Sequence, residues 1–494
     1  MSRDLRFLLE KSASDIAALI RAKEISPSEA VETHIQKVRE VNPSLNAVTE
    51  ERFEQATREA AEQTRQLASV NPDELPPFFG VPYTAKEIFA IKGMRQTAGS
   101  IHRRNHISDF DATVVTRMRN AGAVLLATTN VPELGFWFEC ENPVYGRTNN
   151  PYDPSRTSGG SSGGEGALIG AGASPLGLGS DIGGSIRMPA GFCGVFGHKP
   201  TRHRVPLTGH FPFSLKDMEA LTGEMYPYTC SGLLTRRAKD LSPFLNAIAG
   251  PDQIDREIHP RPSVSNRPFD LVGKKVFVCR DPIFHLAKRA DDDVQEAVKK
   301  AARLLEQRGA VIEEFDPHFF VRAVELWFAS IRSPQSKSFN ELLSPENPIA
   351  FGREMLKTFR GSSSYTVPSL FTALLEKLAT GKRDQNTPAL LAEAKELRLR
   401  FEKLLGTDGL LLFPTHPRVA PKHRAPWLSP FDFIYTAIFN VFEGPATACP
   451  VGLSGDGLPL SVQVIANPDR DDLTMAVAEI LEDGFGGWTP ATHP

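Results

Sequence analysis

Thr157-Ser158-Gly159-Gly160-Ser161-Ser162-Gly163-Gly164-Glu165-Gly166, followed by Asp181-Ile182-Gly183-Gly184-Ser185-Ile186-Arg187, is the stretch that decides how this chain is read. Residues 158–200 hold 14 of the 38 glycines, interleaved with serines. A flexible Gly/Ser linker has similar composition, but linkers do not run into an apolar, helix-like segment such as Ala167-Leu168-Ile169-Gly170. A phosphate cradle would need GxxxxGK followed by Ser or Thr, or a strand–GxGxxG–helix unit with an acid about 20 residues on; neither is present. The third reading is a nucleophile site. Ile182-Gly183-Gly184-Ser185 offers consecutive backbone N–H donors around a serine hydroxyl, which is how an oxyanion hole is made.

A serine nucleophile needs a base. There is no GxSxG elbow, and the nearby His198, within Phe196-Gly197-His198-Lys199-Pro200, reads as structural. A lysine loses its proton more readily once it is desolvated. Lys86 closes Gly80-Val81-Pro82-Tyr83-Thr84-Ala85-Lys86, which reads as a buried strand, and is the candidate base.

Outward from these segments the chain alternates helix and strand. Ser26-Pro27-Ser28-Glu29 is a capping box with proline at the first helical position, predicting a helix that ends near Val41, before Asn42-Pro43. Asn46–Thr49 reads as a short strand and 51–70 as a charged, Ala-rich helix with a solvated polar face. Asp111 is expected to cap a helix over 112–121, with a strand from Ala123 to Thr128. A strand at Lys274–Cys279, a helix at Asp293–Gln307 and a strand at Val311–Phe315 form a βαβ unit. Residues 317–405 read as helical and aromatic-rich; strands at Leu410–Phe413 and Leu460–Ile465 and a helix at Asp472–Leu481 follow. With no clear linker, the expectation is one α/β domain over 1–494: N-terminal helices to about 75, a Gly/Ser-rich core at about 80–245, and a helical excursion at about 317–405.

Composition narrows the function classes. With 56 Lys+Arg against 59 Asp+Glu the net charge is −3, so no basic field exists to hold nucleic acid. The densest apolar run, Gly409–Phe413, stops at Pro414, well short of a membrane span. The N-terminal residues are charged, without the apolar core of a secretory signal. The five cysteines, Cys140, Cys193, Cys230, Cys279 and Cys449, form no CxxC pair. They suit reduced thiols in the cytoplasm and argue against a zinc site.

Taken together, GGSSGG, DIGGSIR and a lysine 75 residues before Ser161 resemble the amidase signature enzymes. Thr128-Thr129-Asn130-Val131-Pro132-Glu133, Thr148-Asn149-Asn150-Pro151, Gly444-Pro445-Ala446 and Gly457-Leu458-Pro459 extend the resemblance along nearly the whole chain. It implies a large mixed twisted β-sheet covered by helices on both faces. It also implies a Ser–cis-Ser–Lys triad with Ser185 as nucleophile, Ser161 as bridging serine and Lys86 as base. Ile182, Gly183, Gly184 and Ser185 would supply the oxyanion N–H groups, with no cofactor and no metal. Ser162 is expected to hydrogen-bond near the lysine, and Asp181 with Arg187 to form a buried pair fixing the loop. Glu87 stands where many members have aspartate. With all three triad residues present, a catalytically dead binding protein is disfavoured.

Two branches of that family bear on substrate. The A subunit of tRNA-dependent amidotransferases carries a small-residue Met-Gly-Ser-Ser run where this chain has Leu134-Gly135-Phe136-Trp137-Phe138-Glu139-Cys140. Three aromatics suit an apolar acyl chain better than glutamine. Residues 159–200 and the segments Leu473–Ala478 and Phe485–Trp488 are similar to the fatty-acid amide hydrolase branch, without its membrane-spanning N-terminus. The resemblance implies a cytoplasmic, metal-independent hydrolase of linear carboxylic amides, and of esters, with apolar acyl groups. It would act alone or as a homodimer; an amidotransferase subunit or small-amide amidase is the alternative. Gly135, Phe136 and Phe138 are the substrate-binding candidates, the two phenylalanines facing the same side of a strand. Phe319, Phe320, Trp327, Phe328, Phe339, Phe351, Phe359, Tyr365 and Phe371 read as helix core or as an acyl channel and lid. Ile101–His106 reads as a solvated basic loop.

Overall fold

The computed structural model describes residues 4–218, 221–223, 226–265, 269–331, 337–379 and 386–491; the Phe359 side chain lies outside them. Among the described residues the strands are β1 (Val48–Glu51), β2 (Pro82–Lys86), β3 (Val124–Thr129), β4 (Glu141–Asn142), β5 (Gly146–Arg147), β6 (Leu176–Asp181), β7 (Phe196–Lys199), β8 (Cys230–Thr235), β9 (Lys275–Val278), β10 (Val311–Glu314), β11 (Leu410–Pro414), β12 (Ala446–Leu453) and β13 (Pro459–Ile465). β4 and β5 pair with each other; the other 11 form one sheet ordered β1-β3-β2-β6-β8-β7-β12-β13-β11-β9-β10. β2 runs parallel to β3 and β6, and β9 to β10 and β11, while β6, β8, β7, β12 and β13 pair antiparallel in turn. The sheet is therefore mixed, and strands from both halves of the chain meet in its middle.

Strand alternation separates the cores on the two faces of the sheet. In β11, Leu410 and Leu412 join one cluster while Leu411 and Phe413 join another; in β3, Leu125 parts from Val124 and Leu126 in the same way. In β2, Tyr83 and Ala85 face the first core. Thr84 and Lys86 are thereby turned to the opposite face, toward the Gly/Ser segment.

The βαβ unit forms as read, its helix spanning Asp292–Gln307. Two expectations need correction. The helix beginning at Pro27 runs through Pro43 to Leu45. Pro43 sits in its last turn, where Asn46 in the left-handed region and the Asn42 carboxamide, accepting from the N–H groups of Ala47 and Val48, close the end. Asp111 does not cap Thr113–Asn120; its carboxylate accepts from Lys92 N–H and Arg119 instead.

The excursion divides into two kinds of packing. Phe315, Phe320, Phe401, Phe413, Phe439 and Phe442 form an aromatic core, Phe320 lying 5.5 Å from Phe439 and 5.6 Å from Phe442. Phe371, by contrast, is exposed. Core packing therefore accounts for Phe320, whereas the rings of Trp327 and Phe339 reach Phe136.

Candidate active site

The Gly/Ser segment enters the protein as the helix Gly163–Gly170, every residue of it buried, and β6 and the helix Arg187–Phe192 follow. The Ser162 N–H donates to the Ser185 carbonyl at 3.0 Å, which brings the two serine-bearing loops side by side. The Gly160–Ser161 peptide is cis. Lys86, at the end of β2, is fully buried and donates through Nζ to Ser161 Oγ at 2.7 Å and Ser180 Oγ at 3.0 Å. Burial pushes its ammonium down to about 7. Beneath it lies Glu165, also fully buried, accepting from Thr84 Oγ1 (2.6 Å) and Thr129 Oγ1 (2.8 Å); burial pushes its carboxyl up to about 8. The carboxyls of Asp181 and Glu165 favour the charged lysine, but burial outweighs them.

Asp181 and Arg187 form the expected buried pair, Arg187 Nη2 lying 2.9 Å and Nε 3.1 Å from the carboxylate. Burial raises the Asp181 carboxyl, but Arg187 and two backbone donors outweigh it and hold it well below the usual carboxylate range. Those donors are the N–H groups of Gly184 (2.7 Å) and Ile186 (3.1 Å). This corrects one expectation: the Gly184 N–H is committed to Asp181 and is not free for an oxyanion. Among the described residues no intramolecular acceptor is found for the N–H groups of Ile182, Gly183 and Ser185.

Side-chain donors to three carbonyls fix the peptides from Asp181 to Gly184. Asn440 Nδ2 donates to Asp181 O (3.0 Å), Trp327 Nε1 to Ile182 O (3.0 Å) and Thr436 Oγ1 to Gly183 O (3.0 Å). In a trans peptide the N–H points opposite to the C=O, so the Ile182 and Gly183 N–H groups turn the other way. Gly184 permits this turn: its φ is +109°, and a Cβ there would lie 1.8 Å from Thr436 Oγ1. Ser185 is 7% exposed, and Ser161 2%.

The Amidase family model matches residues 29–475. The chain belongs to the amidase signature family. It is 38% identical to human (Homo sapiens) fatty-acid amide hydrolase 2 over 497 residues, covering 97% of this chain and 90% of that one. It is 32% identical to an acylamidase of Rhodococcus erythropolis, covering 95% and 94%. A solved structure of 6-aminohexanoate cyclic dimer hydrolase superposes with a TM-score of 0.74 at 29% identity, covering 97% of each chain. The chain is thus an amidase with the family's mixed sheet. Among the described residues no helix is long and apolar enough to cross a membrane, and no three His, Cys, Asp or Glu side chains gather as a metal-ligand group.

Within this amidase the substrate candidates separate. Gly135, at φ +69°, lies against Ser161: a Cβ there would stand 3.7 Å from Ser161 Oγ and 2.9 Å from Ile88 Cδ1. Phe136 and Phe138 do not share a strand face. Leu134 (φ +57°) and Gly135 are both left-handed, so the chain turns here where alternation would need extended backbone. Phe136 is half-buried and meets Phe339 (5.1 Å) and Trp327 (6.5 Å). Phe138 is buried and meets His416 (6.2 Å) and Phe433 (6.4 Å). Ser162 bonds near the lysine: its Oγ donates to Ser180 O at 3.4 Å, and the Ser180 hydroxyl in turn accepts from Lys86 Nζ. Ser180, Glu165, Thr436, Asn440 and the direct contact of Trp327 were missed by sequence reasoning.

Proposed function

We propose that this amidase is a serine hydrolase that cleaves amides of apolar acyl groups through an acyl-enzyme, with Lys86, Ser161 and Ser185 as its triad. The observation that carries the reading is the 2.7 Å bond from a fully buried Lys86 to Ser161 Oγ, with hydroxyl and carbonyl oxygens as its partners. Neutral Lys86 takes a proton from Ser161 as Ser161 takes one from Ser185, and Ser185 Oγ adds to the amide carbonyl. The Ile182, Gly183 and Ser185 N–H groups stabilise the oxyanion. As the C–N bond breaks, the same relay reversed returns the proton to the departing amine. Water, activated in the same way, then releases the acid and regenerates Ser185. The five buried free thiols support a cytoplasmic enzyme.

Phe136, with Trp327 and Phe339 against it, supports an apolar acyl site beside Gly135 and Ser161. Each buried methylene contributes about 0.8 kcal/mol, so kcat/KM rises about fourfold per added CH₂ until the site is full. Ser185→Ala, with unchanged circular dichroism, should lose on the order of 10³-fold or more in kcat. A sulfonyl fluoride should label Ser185, read by mass spectrometry; near-normal turnover of the variant, or an adduct elsewhere, sinks the mechanism. Phe136→Asp should cost decanoyl p-nitroanilide far more than acetyl; equal losses would move the acyl site elsewhere. Activity confined to glutamine or acetamide would favour an amidotransferase-type or small-amide reading.

A further inference from the structure

The excursion is fastened to the cleft at a point the proposed mechanism does not use. Glu133 stands two residues before Gly135 and is buried. Its Oε2 accepts from Thr366 twice, from the N–H at 2.8 Å and from the hydroxyl at 3.0 Å, and the carboxyl also hydrogen-bonds the Ser369 side chain. Thr366 immediately precedes the helix Val367–Ala379. Further along that helix the Glu376 carboxylate accepts the N–H groups of Phe339 (3.0 Å) and Asn340 (2.9 Å) and the Asn340 side-chain amide (2.7 Å). Those residues open the helix Phe339–Leu343, which Ser338 and Glu341 cap reciprocally. The Phe339 ring packs against Phe136. An unbroken path of hydrogen bonds and helix thus runs from the loop beside Ser161, out into the excursion, and back to the wall of the cleft.

We propose that Glu133 is a positioning residue: by holding Thr366 it sets the helix Val367–Ala379, and through Glu376 it places Phe339 against Phe136 to complete the acyl wall. The substrate part of this inference rests on the apolar-acyl reading above. A neighbouring tether makes the effect graded: His102 Nε2 lies 3.0 Å from the Tyr365 hydroxyl, so the excursion stays attached when Glu133 is lost. The bland alternative is that Glu133 only shapes its own loop. Exchange at 339–343 in Glu133→Ala separates the two, because those residues lie at the far end of the path.

The test pairs amide hydrogen exchange at 339–343 with kcat and KM for decanoyl and acetyl p-nitroanilide, in wild type and in Glu133→Ala, Glu133→Gln and Glu376→Ala. Glu133→Ala and Glu376→Ala should each speed exchange at 339–343, and raise KM for the decanoyl substrate, by about tenfold, the scale of losing hydrogen bonds to a carboxylate. Their kcat, and the acetyl kinetics, should stay within about twofold. Glu133→Gln, whose amide oxygen can still accept from Thr366, should restore most of both. Unchanged exchange in Glu133→Ala, or equal kcat losses on both substrates, would overturn the proposal. If wild type does not prefer decanoyl while Glu133→Ala still speeds exchange, the acyl-wall reading falls and the tether stands. Should Glu133→Ala fail to fold, Thr366→Val and Glu376→Ala carry the same test.

Discussion

Two strands of the sheet end in fully buried lysines: Lys86 on β2 and Lys199 on β7. Burial pushes both ammonium groups down from the usual lysine range. Their partners differ in the one respect that matters to proton transfer. Lys199 Nζ donates to the carbonyls of Pro200 (3.0 Å) and Gly444 (2.6 Å), which can only accept. Lys86 Nζ meets the hydroxyls of Ser161 and Ser180, which can both give and receive. A depressed pKa therefore does not mark a base by itself; a base also needs a partner able to hand over a proton. The sharpest way to break the comparison is to remove each lysine in turn. Lys86→Ala should lose about 10³-fold or more in kcat/KM, whereas Lys199→Met should stay within about twofold per folded molecule. Comparable losses would mean that burial, not partner chemistry, is what counts.

The next largest effect is the pH dependence. With Lys86 held at about 7, its neutral form accepts the serine proton and its protonated form cannot. Activity should therefore rise with pH through about 7 and plateau above. Below that limb it should fall about tenfold per unit, the slope of one proton. His198 sits in a different buried network, bonded to Thr447 and Asp471, and should leave the profile untouched if replaced. The limb should survive in Lys199→Met and be lost from the residual activity of Lys86→Ala. Treatment with EDTA should leave it in place; inactivation that zinc reverses would contradict a lysine–serine mechanism.

Lys86 was readable in the sequence because a lysine closing an apolar run is an anomaly, and the Gly/Ser segment because its geometry forces glycine. At Gly184, for example, any side chain would strike Thr436. The capping box at Ser26 and the amphipathic helix Asp292–Gln307 follow local rules and were found for that reason. β6 was not: Gly177 and Gly179 occupy its inner face because Cβ atoms would collide with Glu165 and Ile186, and those glycines erase the strand signal. Trp327 and Asn440, which aim the oxyanion peptides, come from 145 and 259 positions away, and no local spacing announces them. Phe136 and Phe138 misled for a third reason. Alternation is a property of extended backbone, and two left-handed residues just before them end it.

Lys199 gives the third prediction, a loss of stability without loss of chemistry. Lys199→Met strips two carbonyls, Pro200 O and Gly444 O, of the donor that ties β7 to the turn before β12. Leaving buried acceptors unsatisfied costs on the order of 2–4 kcal/mol. Urea denaturation should show that loss as a lower midpoint with an unchanged slope. A midpoint equal to wild type would mean that the cross-link is idle.

The smallest effect expected is at Ser180, the partner that has no counterpart around Lys199. Its hydroxyl accepts from Lys86 Nζ at 3.0 Å and so favours the charged lysine. In Ser180→Ala that support disappears, while Ser161 Oγ, at 2.7 Å, remains. The folded-state pKa of Lys86 should therefore drop further, moving the acid limb of activity to lower pH by a fraction of a unit. The plateau should fall a few-fold at most, because the proposed relay passes through Ser161 and not Ser180. The two readouts move independently, which gives the test its force. A limb displaced to lower pH with a nearly intact plateau makes Ser180 a tuner of the base. A loss as deep as that of Ser161→Ala, without displacement of the limb, would instead put Ser180 in the proton path and require the relay to be redrawn.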